Sequence, residues 1–93
     1  MVERRVNVVN RLGLHARAAA RLVRTASAYR SNVRLERADG SAVADAKSIL
    51  SVLLLAASRG TELRLTVEGV DEVEALTAVC ALVESGFGEE LEA

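Results

Sequence analysis

The sequence is short of several residue types, and each shortage excludes a class of protein. Its 93 residues include one cysteine, one histidine, no tryptophan and no proline. A single cysteine allows no internal disulfide, and no Cys/His cluster of metal-ligand spacing is present. One Tyr and one Phe leave little for stacking on unpaired bases, which disfavours recognition of RNA or single-stranded DNA. A membrane-spanning helix needs about 20 consecutive apolar residues, and every apolar run in the sequence is much shorter.

The N-terminus and the composition lead to further expectations. No signal-peptide core follows the N-terminus, so we expect a cytoplasmic protein. We expect no cofactor, no metal, no membrane insertion and no nucleic-acid partner, and we expect a monomer. At this length residues 1–93 should form one domain. Because hydrophobic residues make up 51% and aromatics are scarce, its core must be built from Val, Leu, Ile and Ala.

The charges are divided unevenly along the chain, although the net charge is only −1. Residues 1–40 carry nine arginines against three acidic residues, whereas residues 41–93 carry ten acidic residues against three basic ones. A basic half can contact nucleic acid or steer an acidic protein partner towards it. The scarcity of aromatic residues favours the protein partner.

Hydrophobic periodicity predicts seven elements. Strands are predicted at residues 1–9, 31–37, 41–44 and 62–68, and helices at residues 16–28, from 45–48 to about 57, and from about 70 to 86. Asp39 and Gly40 predict a two-residue hairpin. Cys80 is expected in the core, and residues 89–93 are expected to be a frayed acidic tail. Since each strand has one apolar face, the order indicates an α+β fold with helices on one side of an antiparallel sheet.

Residues 13–17, Gly-Leu-His-Ala-Arg, have the clearest chemistry. His15, the only histidine, is predicted at the N-cap of the first helix or just before it. The first turn of a helix has unpartnered N–H groups and the positive end of the dipole, so it attracts phosphate and favours a neutral imidazole. A neutral imidazole nitrogen is a nucleophile, and the Arg17 guanidinium matches phosphate oxygens. The segment predicts a histidine that accepts a phosphoryl group; the alternative is a polar residue at a helix start.

Two surfaces near this segment each have two interpretations. Arg17, Arg21 and Arg24 share one face of the first helix, which is either solvated or, as their mutual repulsion favours, a docking surface for a partner's carboxylates. The second helix is apolar almost all round, with Val52 and Leu55 as the better core candidates. The residues left for an exposed docking patch beside His15 are Ile49, Leu50 and Leu53. The alternative is a central helix that is buried on every side.

Residues 13–17 resemble the active-site signature of the HPr family, the histidine-containing phosphocarriers of the phosphoenolpyruvate:sugar phosphotransferase system. Residues 47–50, Lys-Ser-Ile-Leu, resemble that family's second signature, and Arg59-Gly60 before an alternating strand also fits. The spacing and the length agree, so the resemblance covers nearly the whole chain. It implies an α+β open-faced β-sandwich, with a four-stranded antiparallel sheet and three helices on one face.

The resemblance also implies a mechanism. Enzyme I would load the Nδ1 (pros) nitrogen of His15, with phosphoenolpyruvate as the ultimate donor. His15 would then pass the phosphoryl group to the A-type domain of a sugar-specific enzyme II, as a carrier rather than a self-sufficient enzyme. Arg17 and the backbone amides of Ala16 and Arg17 would hold the phosphoryl oxygens. Ser48 matches the position that an HPr kinase/phosphorylase phosphorylates in some bacteria, and its alternative role is a helix N-cap.

One residue departs from the family's pattern. Ala18 lies in the first helical turn where the family usually has proline, whose missing N–H suits that position. This change leaves a second function open: a regulatory interaction module of the same family, of the nitrogen-control type or phosphorylated at Ser48, without sugar transport. A small nucleic-acid-binding domain is disfavoured, because the sequence has neither the Gly-x-x-Gly loop of a KH domain nor an aromatic RNA-binding segment.

Overall fold

A computed structural model describes residues 1–89 of the chain. The elements follow one another in the predicted order of strand, helix, strand, strand, helix, strand and helix. They are β1 (Val2–Asn7), α1 (Ala16–Ser27), β2 (Asn32–Arg37), β3 (Val43–Asp45), α2 (Ile49–Leu54), β4 (Glu62–Glu68) and α3 (Glu72–Glu84). Within residues 1–89, no helix combines the length and the apolar character needed to cross a membrane.

The strands form one four-stranded antiparallel sheet in the order β1-β4-β2-β3. The alternating sequence of β4 suits its place between β1 and β2. Leu63, Leu65 and Val67 are fully buried, whereas Arg64 and Thr66 between them are half-buried. In a β-strand, every second side chain lies on the same face of the sheet. The three helices cover the face that carries the buried residues, so the α+β open-faced sandwich is confirmed.

The helix that carries the candidate site packs against both other helices. Its fully buried residues recur at helical spacing: Ala18, Ala19, Leu22 and Ala26. Val23, which is also apolar, is half-buried beside them. Ala18, which replaces the proline usual in the resembling family, contributes its methyl group to the core.

Two connections differ from the prediction. Residues 38–42 connect β2 to β3, so the two-residue hairpin predicted there is wrong. Asp39 instead supports a wider turn by accepting hydrogen bonds from the backbone N–H and the hydroxyl of Ser41. α2 ends at Leu54 rather than near residue 57, because Ala56 has a φ of +53°, in the left-handed region that a right-handed helix cannot continue through.

The buried faces of α2 and α3 agree with the prediction. Val52 and Leu55 enter the core from the α2 segment, and Cys80 is fully buried on α3. Burial raises the pKa of the Cys80 thiol, so the thiol stays protonated and unreactive.

The chain reverses its direction after α3. Gly86, Phe87 and Gly88 have φ values of +72°, +60° and +74°, all in the left-handed region. Such a conformation is uncommon for a bulky residue such as Phe87. The Phe87 side chain is fully buried, and its carbonyl accepts a hydrogen bond from the Arg21 guanidinium of α1. These contacts offset the conformational cost and bring the following residue back towards the start of α1.

Candidate functional site

His15 is the N-cap of α1, as predicted. Its backbone is extended, with φ −73° and ψ 177°, and its carbonyl accepts a helical hydrogen bond from the Ala19 N–H at 2.8 Å. Its ring nitrogen Nδ1 accepts a hydrogen bond from the Arg17 N–H at 3.3 Å. The imidazole thereby satisfies one of the free donors of the first turn, as an Asn or Asp side chain does at other helices. Nδ1 consequently lies at the positive end of α1.

The other ring nitrogen of His15 contacts a carboxylate. Nε2 lies 2.9 Å from Oε1 of Glu89. Because an ionised carboxylate can only accept a hydrogen bond, Nε2 carries the proton and Nδ1 keeps a lone pair. The hydrogen bond from His15 is the largest of the effects that hold the pKa of Glu89 below its usual range. The His15 side chain is 27% exposed, so the ring remains accessible to another protein.

Asn10 holds Glu89 in this place. Its Nδ2 donates to the Gly13 carbonyl at 2.8 Å and to the same Oε1 of Glu89 at 2.8 Å. Asn10 is only 1% exposed, and its Oδ1 has no hydrogen-bond partner among residues 1–89. Two donors from the segment around α1, the amide of Asn10 and the ring of His15, therefore converge on one carboxylate oxygen.

Sequence reasoning missed both Asn10 and Glu89 as site residues. The prediction of a frayed tail is wrong for Glu89, and residues 90–93 of that predicted tail lie outside the described residues. The available signal was the Gly-Phe-Gly sequence of residues 86–88, because glycine readily adopts the positive φ of a reversal. Nothing in the local sequence pairs position 10 with position 89.

The loop before His15 is fixed by the segment that follows α2. The Leu14 N–H donates to the Ala57 carbonyl at 2.9 Å. Gly13 has a φ of +63°, and a Cβ there would lie 2.5 Å from that carbonyl oxygen and 2.8 Å from Cα of Ser58. Only glycine fits this conformation and this close approach. The site loop and the α2 segment are thus held together at a fixed distance.

The three α1 arginines that the sequence predicts for phosphate binding or docking have different surroundings. Arg17 is exposed, and its guanidinium makes no hydrogen bond or ion pair within residues 1–89. Arg21 is half-buried and donates to the Phe87 carbonyl, so it supports the C-terminal reversal. Arg24 is exposed in the last turn of α1, and Ala16 is exposed in the first turn. The first turn of α1 therefore offers backbone and side-chain donors at the surface.

Ser48 and the apolar residues after it lie as the sequence predicts. Ser48 is the N-cap of α2, and its Oγ accepts a hydrogen bond from the Ser51 N–H at 3.4 Å. The exposed apolar residues of this helix, called here the α2 patch, are Ile49, Leu50, Leu53 and Leu54. The expectation that the first three are exposed is confirmed. Leu54, which is 72% exposed, belongs to the patch and was missed.

These positions combine into a site for one kind of chemistry. His15 offers an imidazole nitrogen with a lone pair at the positive end of a helix, and an exposed guanidinium follows two residues later. This combination suits attack on phosphorus and stabilisation of phosphoryl oxygens. In the described part of the chain, no three His, Cys, Asp or Glu side chains cluster in a way that could hold a metal ion.

Comparisons with known proteins show the family of this chain. The family model described as "PTS HPr component phosphorylation site" matches residues 2–85. The phosphocarrier protein HPr of Xylella fastidiosa (strain Temecula1) is 48% identical over 90 residues, which are 97% of this chain and 99% of that protein. The phosphocarrier protein NPr of Proteus mirabilis is 40% identical over 87 residues, 94% of this chain and 96% of that one.

A solved structure shows the same fold. The crystal structure of HPr-C-His from Thermoanaerobacter tengcongensis matches with a TM-score of 0.90 at 43% identity, covering 98% of this chain and 100% of that chain. The family model, the relatives and the solved structure agree with one another. The chain belongs to the HPr family, the phosphocarrier proteins of the phosphotransferase system.

Proposed function

We propose that this protein accepts a phosphoryl group on Nδ1 of His15 from phosphorylated Enzyme I, with phosphoenolpyruvate as the ultimate donor. It then passes the group to the A-type domain of a sugar-specific enzyme II, in the cytoplasm, with residues 1–93 acting as one domain. The observation that carries the choice of atom is the pairing of the ring nitrogens. Nε2 faces the Glu89 carboxylate and Nδ1 faces the Arg17 N–H, so Nδ1 has the lone pair.

The transfer to His15 depends on positioning and charge stabilisation more than on a general base. The lone pair of Nδ1 forms the new N–P bond while the bond between phosphorus and the donor breaks, and the donor keeps that electron pair. The Arg17 N–H lies 3.3 Å from Nδ1, a long contact that can be exchanged for a phosphoryl oxygen at little cost. The Ala16 N–H and the exposed Arg17 guanidinium supply further donors.

The proposed docking surface for both partners combines the α2 patch with the arginines of α1. The two helices pack against each other, which supports a surface that includes both the apolar patch and the positive charges. An apolar centre with charged surroundings suits a transient interface with an acidic partner. Because the Arg21 guanidinium is bound to the Phe87 carbonyl, we expect Arg17 and Arg24 to contribute more than Arg21.

Phosphorylation of Ser48 by an HPr kinase/phosphorylase would regulate this surface. Ser48 caps α2, and Ile49 and Leu50 follow it directly at the exposed side. A phosphate at this position adds a dianion next to the apolar patch. Binding of an acidic partner should therefore weaken.

The similarity to NPr and the residue Ala18 support a second function within the same family. The similarity to NPr covers nearly the whole chain, and Ala18 occupies the position where the HPr family usually has proline. Both favour a regulatory interaction module that receives a phosphoryl group on His15 but serves no sugar transport. The two functions differ in whether phosphorylated His15 discharges to a sugar-specific A-type domain.

Intact mass spectrometry tests the proposal. The protein is mixed with phosphoenolpyruvate, magnesium and purified Enzyme I, and we expect the mass of one added phosphoryl group that is labile in acid. The gain should be absent in His15→Ala and present in Ser48→Ala. Addition of a sugar-specific A-type domain should remove it. No gain, with an Enzyme I that is active on another HPr, would overturn the proposal, and a gain without discharge would support the regulatory module.

A further inference from the structure

Glu89 reaches the phosphorylation site from the opposite end of the described chain. Its Oε1 lies 2.9 Å from Nε2 of His15 and 2.8 Å from Nδ2 of Asn10. The Glu89 side chain is 20% exposed, so its interactions are partly shielded from water. We propose that Glu89 is a positioning residue that keeps the His15 proton on Nε2 throughout both phosphoryl transfers. This role rests on the proposed function of His15 as phosphoryl acceptor.

The position of Glu89 is set by two contacts besides His15. Asn10 is buried and is tied to the Gly13 carbonyl, so its second amide hydrogen is aimed at Glu89 before any partner binds. Arg21 binds the Phe87 carbonyl two residues before Glu89 and thereby fixes the reversed chain. Its positive charge also favours the ionised form of Glu89. The carboxylate is therefore preorganised at Nε2.

This placement decides which tautomer of His15 is present. A neutral imidazole has two tautomers, and only the one with its proton on Nε2 leaves Nδ1 free to attack phosphorus. The Arg17 N–H also favours this tautomer, but its contact is long, at 3.3 Å, and involves no charge. The contact with Glu89 is 2.9 Å long and charge-assisted, so it is the stronger of the two.

The same contact suits the phosphorylated ring. When neutral His15 attacks, the new Nδ1–P bond and the proton on Nε2 leave one positive charge on the ring, which the Glu89 carboxylate balances. When the phosphoryl group moves on, the Nδ1–P bond breaks, its electron pair stays on Nδ1, and the neutral ring with its proton on Nε2 is restored. The ring neither gains nor loses a proton in either step, so neither transfer requires a general base.

Three full-length variants test this role: Glu89→Ala, Glu89→Gln and, as control, Glu84→Gln, whose carboxylate is exposed and 4.0 Å from the Arg4 guanidinium. ¹⁵N NMR of the histidine ring reports the tautomer, and rapid-quench kinetics with Enzyme I report kcat and KM. Glu89→Ala should show a share of the Nδ1–H tautomer and a kcat about three- to tenfold lower at unchanged KM. Glu89→Gln keeps an oxygen that accepts from Nε2, so it should keep the tautomer and recover part of kcat. Glu84→Gln should match the wild-type protein.

The possible results separate this role from others. An unchanged tautomer in Glu89→Ala would overturn the proposal whatever happens to kcat. A rise in KM alone would make Glu89 a docking residue and would also overturn it. A wild-type protein that gains no phosphoryl group would overturn the proposed function and this role with it, and that failure is recognised before any variant is compared.

Discussion

Arg17 is the residue of α1 whose guanidinium we propose to bind the phosphoryl group. Its guanidinium has no partner within residues 1–89, whereas that of Arg21 is bound to a backbone carbonyl. We predict that Arg17→Ala lowers kcat/KM for transfer from Enzyme I about 10- to 100-fold, because a donor to the transferring phosphoryl group is lost. Arg17→Lys keeps the charge without the fork geometry and should recover only part of the rate.

Arg24→Ala is the matched control for this measurement. It removes the same charge from the same helix, in the last turn rather than the first. A loss through docking should appear in both variants, so we expect Arg24→Ala to lower kcat/KM by much less than Arg17→Ala does. Equal losses in Arg17→Ala and Arg24→Ala would contradict a direct role of Arg17 at phosphorus.

A second prediction for single residues concerns Gly13 and the stability of the site loop. Gly13 and Gly40 both have positive φ, +63° and +79°, but a Cβ at Gly13 would meet the Ala57 carbonyl at 2.5 Å and one at Gly40 would meet nothing within 4 Å. Gly40→Ala should therefore lower the free energy of unfolding by about 1 kcal/mol, and Gly13→Ala by about 3 kcal/mol. Urea unfolding of both variants measures the difference. Equal effects would mean that the site loop does not depend on this close approach.

Among the elements, α3 begins at a carboxylate that binds the segment after α1. Asp71 accepts hydrogen bonds from the backbone N–H groups of Arg30 and Ser31, each at 2.9 Å, and from the Ser31 hydroxyl. The Ser31 hydroxyl is the largest of the effects that lower the pKa of Asp71 from 3.8 to about 2. As the pH falls, the unfolded chain therefore binds a proton here before the folded protein does.

The stabilisation from Asp71 should consequently be complete above pH 3.8 and be lost as the pH falls towards 2. We predict that Asp71→Asn is less stable than the wild-type protein at pH 7 and that the difference shrinks between pH 4 and pH 2. Thermal unfolding at a series of pH values measures it, with Glu74→Gln, an exposed residue in the first turn of α3, as the control. A difference that stays constant down to pH 2 would contradict this cause.

The α2 patch should act in binding rather than in stability. Leu50 is 64% exposed, so Leu50→Gln should change the free energy of unfolding by no more than about 0.5 kcal/mol. Its loss from a docking surface should raise the Kd for Enzyme I about tenfold. Val73→Gln is the control, since Val73 is an exposed apolar residue of α3 at 59%. Calorimetric titration compares the variants, and equal Kd values for both would remove the α2 patch from the interface.

Across the whole molecule, the sequence predicts the features that depend on neighbouring residues. β4 was predicted at residues 62–68 and is observed at Glu62–Glu68, because period-two alternation is contained in the strand's own sequence. The end of α2 could not be predicted, since Ala56 is a good helix former and its positive φ follows from its surroundings. The wider turn at residues 38–42 likewise depends on side-chain hydrogen bonds that compete with the hairpin signal.

The candidate site likewise has features that the local sequence predicts and features that it does not. His15, Arg17 and Ser48 lie in local patterns of a helix start, and the sequence places each of them correctly at its element. The contact between Asn10 and Glu89 joins two ends of the described chain, and it depends on the reversal at residues 86–88. That reversal is held by burial of Phe87, a tertiary effect that no local pattern contains.

NMR of the ¹⁵N-labelled protein, after loading by Enzyme I and phosphoenolpyruvate, locates the phosphoryl group. We predict that the ring Nδ1 of His15 couples to ³¹P while Nε2 retains its hydrogen, as the contacts to Arg17 and Glu89 require. A phosphoryl group on Nε2 or on Ser48, or no phosphoryl group on a protein exposed to active Enzyme I, would contradict the assignment of Nδ1 as the phosphoryl acceptor.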